Sequence, residues 1–313
     1  MPATDVLTIW RFIDAKRGHE NQSLGLARAI VRLTPARIID IDAHGFVRAA
    51  GAWLRRRMPD PLPPPQLAIG AGRATHWDLL AARRAGARTV VLMRPLLPLS
   101  CFDLALVPAH DDPPARANVE RTLGALNTLR PAPRREDGAG VILIGGPSPH
   151  FDWSEDAVLA MIRAILARDA NLRWTIADSR RTPASMQARL AALGVANAEY
   201  RPHQLAAPGW LASVLAGARR AWVSADSVSM LYEALTAGAE VGVLDLPLRR
   251  DGRVQRGLQT LAREGWITPY ARWAEGATLA LPPRPLAEAD RCARLVLDRW
   301  FPARLRTKCA HED

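Results

Sequence analysis

Short runs of apolar residues alternate along the chain with longer segments in which apolar residues recur every three or four positions. Residues 6–13 form the first apolar run, and helical periodicity follows over 22–33. A short apolar run predicts a buried strand, whereas the longer spacing predicts a helix with one apolar face. In the first half of the chain, the same signals predict strands at 37–41, 67–70, 89–93 and 104–107 and helices at 46–58 and 77–84.

The second half repeats this alternation after a segment that combines proline, glycine and charge without periodicity, residues 130–140. It contains predicted strands at 141–144, 172–177, 221–223 and 241–244, helices at 155–167 and 183–193, and a last helix at 286–300. Strands that alternate with helices favour parallel sheets, whose ligand loops lie at the carboxyl ends of the strands. The expected fold is therefore α/β, with two Rossmann-like domains that face a cleft: residues 1–129, a linker at 130–140, residues 141–285, and a C-terminal helix within 286–313.

The stretch 220–238, RAWVSADSVSMLYEALTAG, carries the clearest signal for a ligand site. It predicts a strand, a turn and a helix, and four polar residues crowd the turn: Ser224, Asp226, Ser227 and Ser229. We expect Asp226 or Ser227 to cap the helix and Gly238 to end it. A helix N-terminus entered from a strand presents unpaired N–H donors, which favour a phosphate or diphosphate.

Glu233 lies further along this predicted helix, on the face that also carries Ser229. Its carboxylate is placed to accept hydrogen bonds from two hydroxyls of a nucleotide ribose. The alternative interpretation is a buried strand and helix with an ordinary surface glutamate.

Two other predicted strand ends in the second half carry candidate residues for binding an anionic ligand. Ser179, Arg180 and Arg181 follow the strand at 172–177, and a guanidinium there can bind a diphosphate through two hydrogen bonds. Gly146 and Ser148 follow the strand at 141–144, where small residues allow close backbone approach. The alternative for the arginines is a solvated turn. Since neither Gly-rich segment has the GxGxxG spacing, no dinucleotide cofactor is expected.

In the first half, His19 is the candidate general base, because it precedes the predicted helix at a strand end, where the helix dipole favours a neutral imidazole. The alternative is a structural histidine that orients the loop. The residues that follow it, Asn21, Gln22 and Ser23, are expected to line the same site. His110 and Asp111, at another strand end, belong to the same expectation, with a polar turn as the alternative.

Composition adds an anionic partner to this picture. The formal charge is +11, and Lys16 and Lys308 are the only lysines, so the basic residues are nearly all arginines. These arginines form scattered pairs without interleaved aromatics, so we do not expect nucleic acid; an acidic membrane surface or a phosphorylated substrate fits the charge. Three cysteines without CxxC spacing favour free thiols in a reducing compartment, and no signal peptide is evident. The expected location is cytoplasmic.

Five ordered segments carry a family resemblance: 14–23 (DAKRGHENQS), 102–111 (FDLALVPAHD), 145–152 (GGPSPHFD), 179–183 (SRRTP) and 220–238. Over about residues 5–270, the chain resembles the mitochondrial fission Elm family, which includes bacterial members and glycosyltransferases of the two-domain GT-B fold. The resemblance implies a metal-independent transferase that moves sugar from a nucleotide-sugar co-substrate, without a further cofactor, to a lipid-linked or cell-envelope acceptor. It also implies that the candidate residues of the second half bind the donor, and that Asn21, Gln22, Ser23, His110 and Asp111 lie on the acceptor side. The alternative that it leaves open is a non-catalytic nucleotide-binding adaptor. It also implies that the last helix crosses back to the first domain.

Two further patterns have competing interpretations. Asp40-Ile41-Asp42 is a DxD sequence, the metal-binding signature of the other major glycosyltransferase fold, but the organisation in two halves argues against that fold. The predicted helix 46–58 combines Phe46, Val47, Trp53 and Leu54 with an arginine cluster, which is typical of peripheral contact with the inner membrane. Its alternative is a packed helix with a solvated end. The oligomeric state stays open.

Overall fold

The computed structural model describes residues 6–58, 60–132, 139–250 and 252–309, with side chains up to residue 305. The chain divides into two compact units. Unit 1 contains the chain up to Thr128 together with the residues from Ala287 onward, and unit 2 contains Leu129–Leu286. Most of the predicted linker, residues 133–138, lies outside the described residues.

Unit 1 is built on a six-stranded parallel sheet with the strand order β2-β1-β3-β4-β5-β6. Its strands are β1 (Leu7–Ile13), β2 (Ala36–Asp42), β3 (Leu67–Ala71), β4 (Arg88–Leu92), β5 (Leu104–Pro108) and β6 (Val119–Thr122). The helices of its first part are α1 (Arg17–Leu33), α2 (Gly45–Arg55) and α3 (His76–Arg84).

Alternate residues of the unit 1 strands enter two separate cores, because successive side chains of a strand point to opposite faces. Leu7 and Ile9 pack in one core with α1, and Trp10 and Phe12 pack in the other with α2 and α3. The first core also contains residues of a C-terminal helix, α10 (Glu288–Trp300), including Cys292. Both faces of the sheet are therefore covered, as a parallel sheet requires.

Unit 2 has a second six-stranded parallel sheet, with the order β12-β11-β10-β7-β8-β9. Its strands are β7 (Ala139–Leu143), β8 (Trp174–Ala177), β9 (Ala198–Arg201), β10 (Ala218–Ser224), β11 (Glu240–Leu244) and β12 (Thr268–Pro269). Its helices are α4 (Glu155–Arg168), α5 (Ala184–Ala191), α6 (Trp210–Gly217), α7 (Val228–Ala237), α8 (Arg253–Arg263) and α9 (Tyr270–Ala274). The chain then returns to unit 1 as α10 (Glu288–Trp300) and α11 (Pro302–Cys309).

The predicted α/β class with two Rossmann-like sheets is confirmed, and the carboxyl ends of each parallel sheet lie along one edge. One helix boundary near the candidate base is wrong: α1 begins at Arg17 instead of Gln22. His19 therefore lies in the first helical turn and not in a loop before it. No helix in the described part of the chain is long and apolar enough to cross a bilayer.

Candidate functional site

Three loops of unit 2 leave neighbouring strands at the carboxyl edge of the sheet. Residues 145–148 follow β7, residues 179–182 follow shortly after β8, and residues 225–227 follow β10. Because β7 lies between β10 and β8, its loop is flanked by the other two. The structure thus brings the predicted donor-binding segments of unit 2 to one place.

Backbone N–H groups of the β7 loop are held by side chains of the β10 loop. Gly145 donates to Ser224 Oγ at 2.8 Å, and Gly146 donates to Asp226 Oδ2 at 3.0 Å. A Cβ added to Gly145 would overlap the Asp226 carboxylate, and one added to Gly146 would overlap the Arg181 carbonyl. The close backbone approach that these glycines allow is therefore made to neighbouring loops of the protein itself.

Arg181 and Arg180 differ in what they contact. The Arg181 guanidinium forms an ion pair with Asp226 Oδ2 at 2.7 Å, where the carboxylate side chain is fully buried, and it also donates to the Gly146 carbonyl at 3.3 Å. Arg180 is exposed and has no ion pair or hydrogen bond with the described residues. The positive charge of Arg181 is thus largely compensated by Asp226, whereas the Arg180 guanidinium can bind an anion.

The N-terminus of α7 is not capped as predicted. Neither candidate cap bonds the first turn: Ser227 makes no such hydrogen bond, and the Asp226 carboxylate turns to Gly146 and Arg181. The N–H groups of the first three helical residues, 228–230, have no acceptor among the described residues. Gly238 ends the helix at φ +91°, as expected. The uncapped donors make this terminus a better anion site than the sequence suggested.

The remaining polar residues of this edge serve the loops or face outward. Ser148 Oγ accepts from the N–H groups of His150 and Phe151, and Ser179 Oγ accepts from Arg181 N–H at 3.2 Å. Ser229 is exposed on α7, and Glu233 is half-buried one turn further. These two side chains follow the uncapped N–H groups along the same helix face, which is the arrangement proposed above for phosphate followed by ribose.

Two residues at the end of β8 were missed by the sequence interpretation. Thr182 is buried and its hydroxyl donates to the Gly145 carbonyl, which ties the β8 loop to the β7 loop. The buried Asp178 carboxylate accepts from the Tyr200 hydroxyl at 3.0 Å and from His203 Nδ1 at 3.1 Å. Burial, together with the charge of Asp178, raises the pKa of Tyr200 above its ordinary value. The position of both residues at a strand end was the available signal.

In unit 1, His19 is paired with a buried carboxylate. His19 Nδ1 lies 2.8 Å from Asp14 Oδ2, and the two side chains are 20% and 3% exposed. An ionised carboxylate only accepts hydrogen bonds, so its natural partner is an Nδ1–H donor, and in that tautomer of the imidazole Nε2 carries the lone pair. No described residue makes a hydrogen bond to Nε2. Asp14 lies in segment 14–23, which carries part of the family resemblance, but it was not predicted as a site residue.

Two backbone features hold this pair in place. Ala15, between Asp14 and the helix, adopts φ +58°, a left-handed conformation that costs an alanine about 1 kcal/mol. Gly72, in the loop after β3, has φ +81°, and a Cβ at this position would overlap the His19 ring. The imidazole is therefore fixed by Asp14 on one side and by the Gly72 backbone on another.

Of the three expected acceptor-side residues that follow His19, two lie at the surface and one is buried. Asn21 accepts from the Thr128 hydroxyl at 3.2 Å, and Gln22 donates to the Gly18 carbonyl at 3.3 Å, so both remain at the helix surface near His19. Ser23 is 1% exposed, and its hydroxyl donates to the Glu20 carbonyl and accepts from an arginine of β1. Ser23 thus supports the helix from inside and does not face a ligand.

His110 and Asp111 form a short turn at the end of β5 and are half-buried. Since β5 lies three strands away from β1, the turn is separated from the β1 end by roughly 14 Å along the sheet edge. The structure does not bring these residues next to His19.

One of the two carboxylates in the DxD sequence is already paired within the protein. Asp40 lies on β2 and forms an ion pair with Arg11, whose Nε donates to Asp40 Oδ1 at 2.8 Å. Among the described residues, no group of three or more histidine, cysteine, aspartate or glutamate side chains is arranged to hold a metal ion.

Comparison with known proteins relates most of the chain to one family. The model of the family described as Mitochondrial fission ELM1 matches residues 17–300. No curated protein matches the sequence.

Solved structures share the fold at low sequence identity. UDP-GlcNAc 2-epimerase from Neisseria meningitidis, bound to UDP-GlcNAc, is 10% identical with a TM-score of 0.55, covering 95% of this chain and 100% of that one. The corresponding epimerase from Methanocaldococcus jannaschii is 10% identical with a TM-score of 0.58, covering 93% and 99%. MurG from Acinetobacter baumannii is 14% identical with a TM-score of 0.52, covering 95% and 99%. These similarities show the GT-B fold.

Proposed function

The chain belongs to the mitochondrial fission ELM1 family, and we propose that it is a glycosyltransferase that uses a nucleotide sugar. In this proposal unit 2 binds the donor, and unit 1 binds the acceptor and supplies its base. The observation that carries the proposal is the contact of His19 Nδ1 with the buried Asp14, which leaves Nε2 as the ring nitrogen that can accept a proton. The fold contributes support, because the solved structures that share it are described as enzymes of UDP-sugars.

Donor binding rests on the carboxyl edge of unit 2. The uncapped N–H groups of residues 228–230 would donate to the diphosphate, and the unpaired guanidinium of Arg180 would add a positive charge. Glu233, one turn further on α7, would accept hydrogen bonds from the ribose hydroxyls. The diphosphate and the ribose of the nucleotide thus each have a partner of complementary chemistry.

The ion pair between Arg181 and Asp226 makes this edge suitable for an anion. A buried carboxylate beside the first turn of α7 would repel a diphosphate if its charge were not compensated. Arg181 supplies the compensation at 2.7 Å. The negative charge that develops on the leaving diphosphate is then stabilised by Arg180 and the α7 terminus, so we propose no metal ion and no cofactor besides the nucleotide sugar.

The transfer step assigns a role to each member of the Asp14–His19 pair. The oxygen of an acceptor hydroxyl forms the bond to the anomeric carbon while the bond from that carbon to the diphosphate oxygen breaks. His19 Nε2 takes the hydroxyl proton, and Asp14 stabilises the imidazolium that results. A non-catalytic adaptor has no need for an imidazole oriented in this way, which favours the transferase over that alternative.

The acceptor in this proposal is a lipid-linked or cell-envelope molecule, and the protein acts on the cytoplasmic side, peripheral to the inner membrane. The net charge of +11 is consistent with a partner surface that carries negative charge.

A panel of nucleotide sugars tests the function, with release of nucleoside diphosphate as the readout and product analysis by NMR. His19→Asn retains an N–H donor at the position of Nδ1, which contacts Asp14, but removes the base, so turnover should fall on the order of a hundred- to ten-thousandfold, with donor affinity and melting temperature near those of the wild type. EDTA should leave turnover unchanged.

Three results would contradict the proposal. Normal turnover in His19→Asn would rule out His19 as the base, and an epimerised nucleotide sugar as the sole product would replace transfer by epimerisation. Donor binding without turnover for any sugar would identify the adaptor.

A further inference from the structure

Helix α2 packs on unit 1 with its small residues and exposes its large ones. Ala49 and Ala52 are its buried residues, whereas Phe46, Val47 and Leu54 are 59%, 80% and 71% exposed. A surface helix of a globular protein normally shows the opposite pattern, with its large apolar residues directed to the core. The outward side of α2 is therefore not explained by the folding of unit 1.

The exposed residues form one continuous surface. Val47 and Leu54 are seven positions apart and so lie on one side of the helix, beside the row that contains Phe46. Leu96, in the loop after β4, is 77% exposed and lines a cavity of about 410 Å³ together with Phe46 and Trp77. We call Phe46, Val47, Leu54 and Leu96 the α2 face.

Helix α2 and the residues directly after it are rich in arginine. Residues 43–57 contain four arginines and no carboxylate: Arg48, Arg55, Arg56 and Arg57. All four are exposed, and none has an ion pair with the described residues. A fifth arginine, Arg73, lines the cavity. An apolar strip bordered by unpaired arginines complements a surface that is apolar inside and anionic outside.

We propose that the α2 face docks unit 1 onto an anionic lipid bilayer, with the apolar side chains at the acyl boundary and the arginines among the headgroups. Helix α2 has 11 residues and is about 16 Å long, so it can lie in the interface but cannot span the bilayer. A second copy of the chain is a poorer occupant, because a two-fold contact through this face would bring like-charged arginine clusters together.

The docking surface adjoins the edge of unit 1 that carries His19. The cavity is lined by residues that follow β2, β3 and β4, and Arg73 follows Gly72, whose backbone holds the His19 ring. A lipid-linked acceptor would therefore arrive at the strand ends that hold the base. This consequence rests on the proposed function, whereas docking itself does not require sugar transfer.

Flotation with vesicles tests the docking in the absence of any nucleotide sugar. The full chain should bind vesicles of phosphatidylcholine and phosphatidylglycerol in equal parts, bind pure phosphatidylcholine more weakly, and dissociate as salt is raised. Val47→Ser with Leu54→Ser should lower the partition coefficient by about tenfold or more. Leu205→Ser with Leu281→Ser is the matched control in unit 2, where these leucines are 69% and 54% exposed.

A second pair of variants tests the charge contribution. Arg55→Gln with Arg57→Gln should weaken binding to the mixed vesicles by about fivefold per arginine and should leave binding to pure phosphatidylcholine unchanged. Arg163→Gln with Arg173→Gln changes the net charge equally at exposed positions of unit 2 and should have a smaller effect.

Three outcomes would overturn the proposal. The first is absence of binding to the mixed vesicles, and the second is an equal loss of vesicle binding in the test and control variants. The third is self-association of the wild type that Val47→Ser with Leu54→Ser abolishes, because the face would then be a protein interface. Melting temperatures confirm that the variants are folded. Since no sugar is present, docking can fail while donor binding and turnover persist, and the reverse.

Discussion

Adjacent arginines after β8 have different roles at the scale of single residues. Arg181→Ala would leave the buried Asp226 carboxylate without its charged partner, which should lower the free energy of unfolding by about 1–3 kcal/mol and weaken nucleotide binding. Arg180→Ala removes an exposed guanidinium without a described partner, so it should weaken binding by about tenfold at unchanged stability.

Urea denaturation and nucleotide titration of both variants measure this difference. Adding Asp226→Asn to Arg181→Ala should recover stability, because it removes the uncompensated charge. Equal stability of the two single variants would contradict the assignment.

The orientation of His19 depends on a glycine in another loop. Gly72→Ala places a methyl group where the imidazole lies and also strains the backbone at φ +81°. Gly86→Ala is the matched control, since its φ is +105° and nothing lies within 4 Å of the added Cβ. Both variants should lose stability, by about 1–2 kcal/mol, but only Gly72→Ala should lower turnover, by about a hundredfold.

Turnover at saturating donor, compared between the two variants at matched fractions of folded protein, separates these effects. A similar loss in Gly86→Ala would attribute the change to stability and not to the displaced ring.

At the scale of elements, the loop after β7 can be tested through its close approach to the loop after β8. The Cβ added by Gly146→Ala would overlap the Arg181 carbonyl and separate the two loops. Nucleotide binding should therefore weaken by about tenfold or more. Gly217→Ala meets nothing within 4 Å and should bind normally. Calorimetric titration of both variants measures the difference, and equal affinities would show that the loops act independently.

The sequence predicted the central strands from apolar runs, which reflect burial on both faces, and it predicted α1 to α5, α7 and α10 from helical periodicity. It gave no prediction for α6, α8, α9, α11 or β12. It missed β6 and β9, whose sequences VERT and AEYR are polar edge strands that pair on one side only. The early start of α1 was also missed, since Lys16 provides no side-chain cap. Such elements are set by tertiary contacts that local patterns do not encode.

The candidate site was predictable to the level of loops and not of contacts. Strand-end position identified the segments around Gly146, Arg180 and Ser224, because parallel strands end along one edge. The ion pair between Arg181 and Asp226 joins residues 45 positions apart, and only the folded structure shows it. Likewise, only the folded structure shows that the Gly72 backbone lies against the His19 ring.

At the scale of the whole molecule, the two units carry separate chemistries. Unit 2 holds the edge that we propose binds an anion, and unit 1 holds the Asp14–His19 pair and the α2 face. Donor binding, proton transfer and membrane docking therefore depend on different residues and can be lost one at a time. The central claim is that unit 2 binds a nucleotide sugar, because proton transfer has no substrate without it.

Thermal stabilisation by nucleoside diphosphates tests that claim most directly. At a hundred times its dissociation constant, a bound nucleotide should raise the free energy of unfolding by about 2.7 kcal/mol. Glu233→Gln should lose most of this gain, whereas Glu275→Gln, at an exposed position after α9, should retain it. If no nucleoside diphosphate stabilised the wild type, or if both variants were stabilised equally, the account of unit 2 as the donor-binding unit would be wrong.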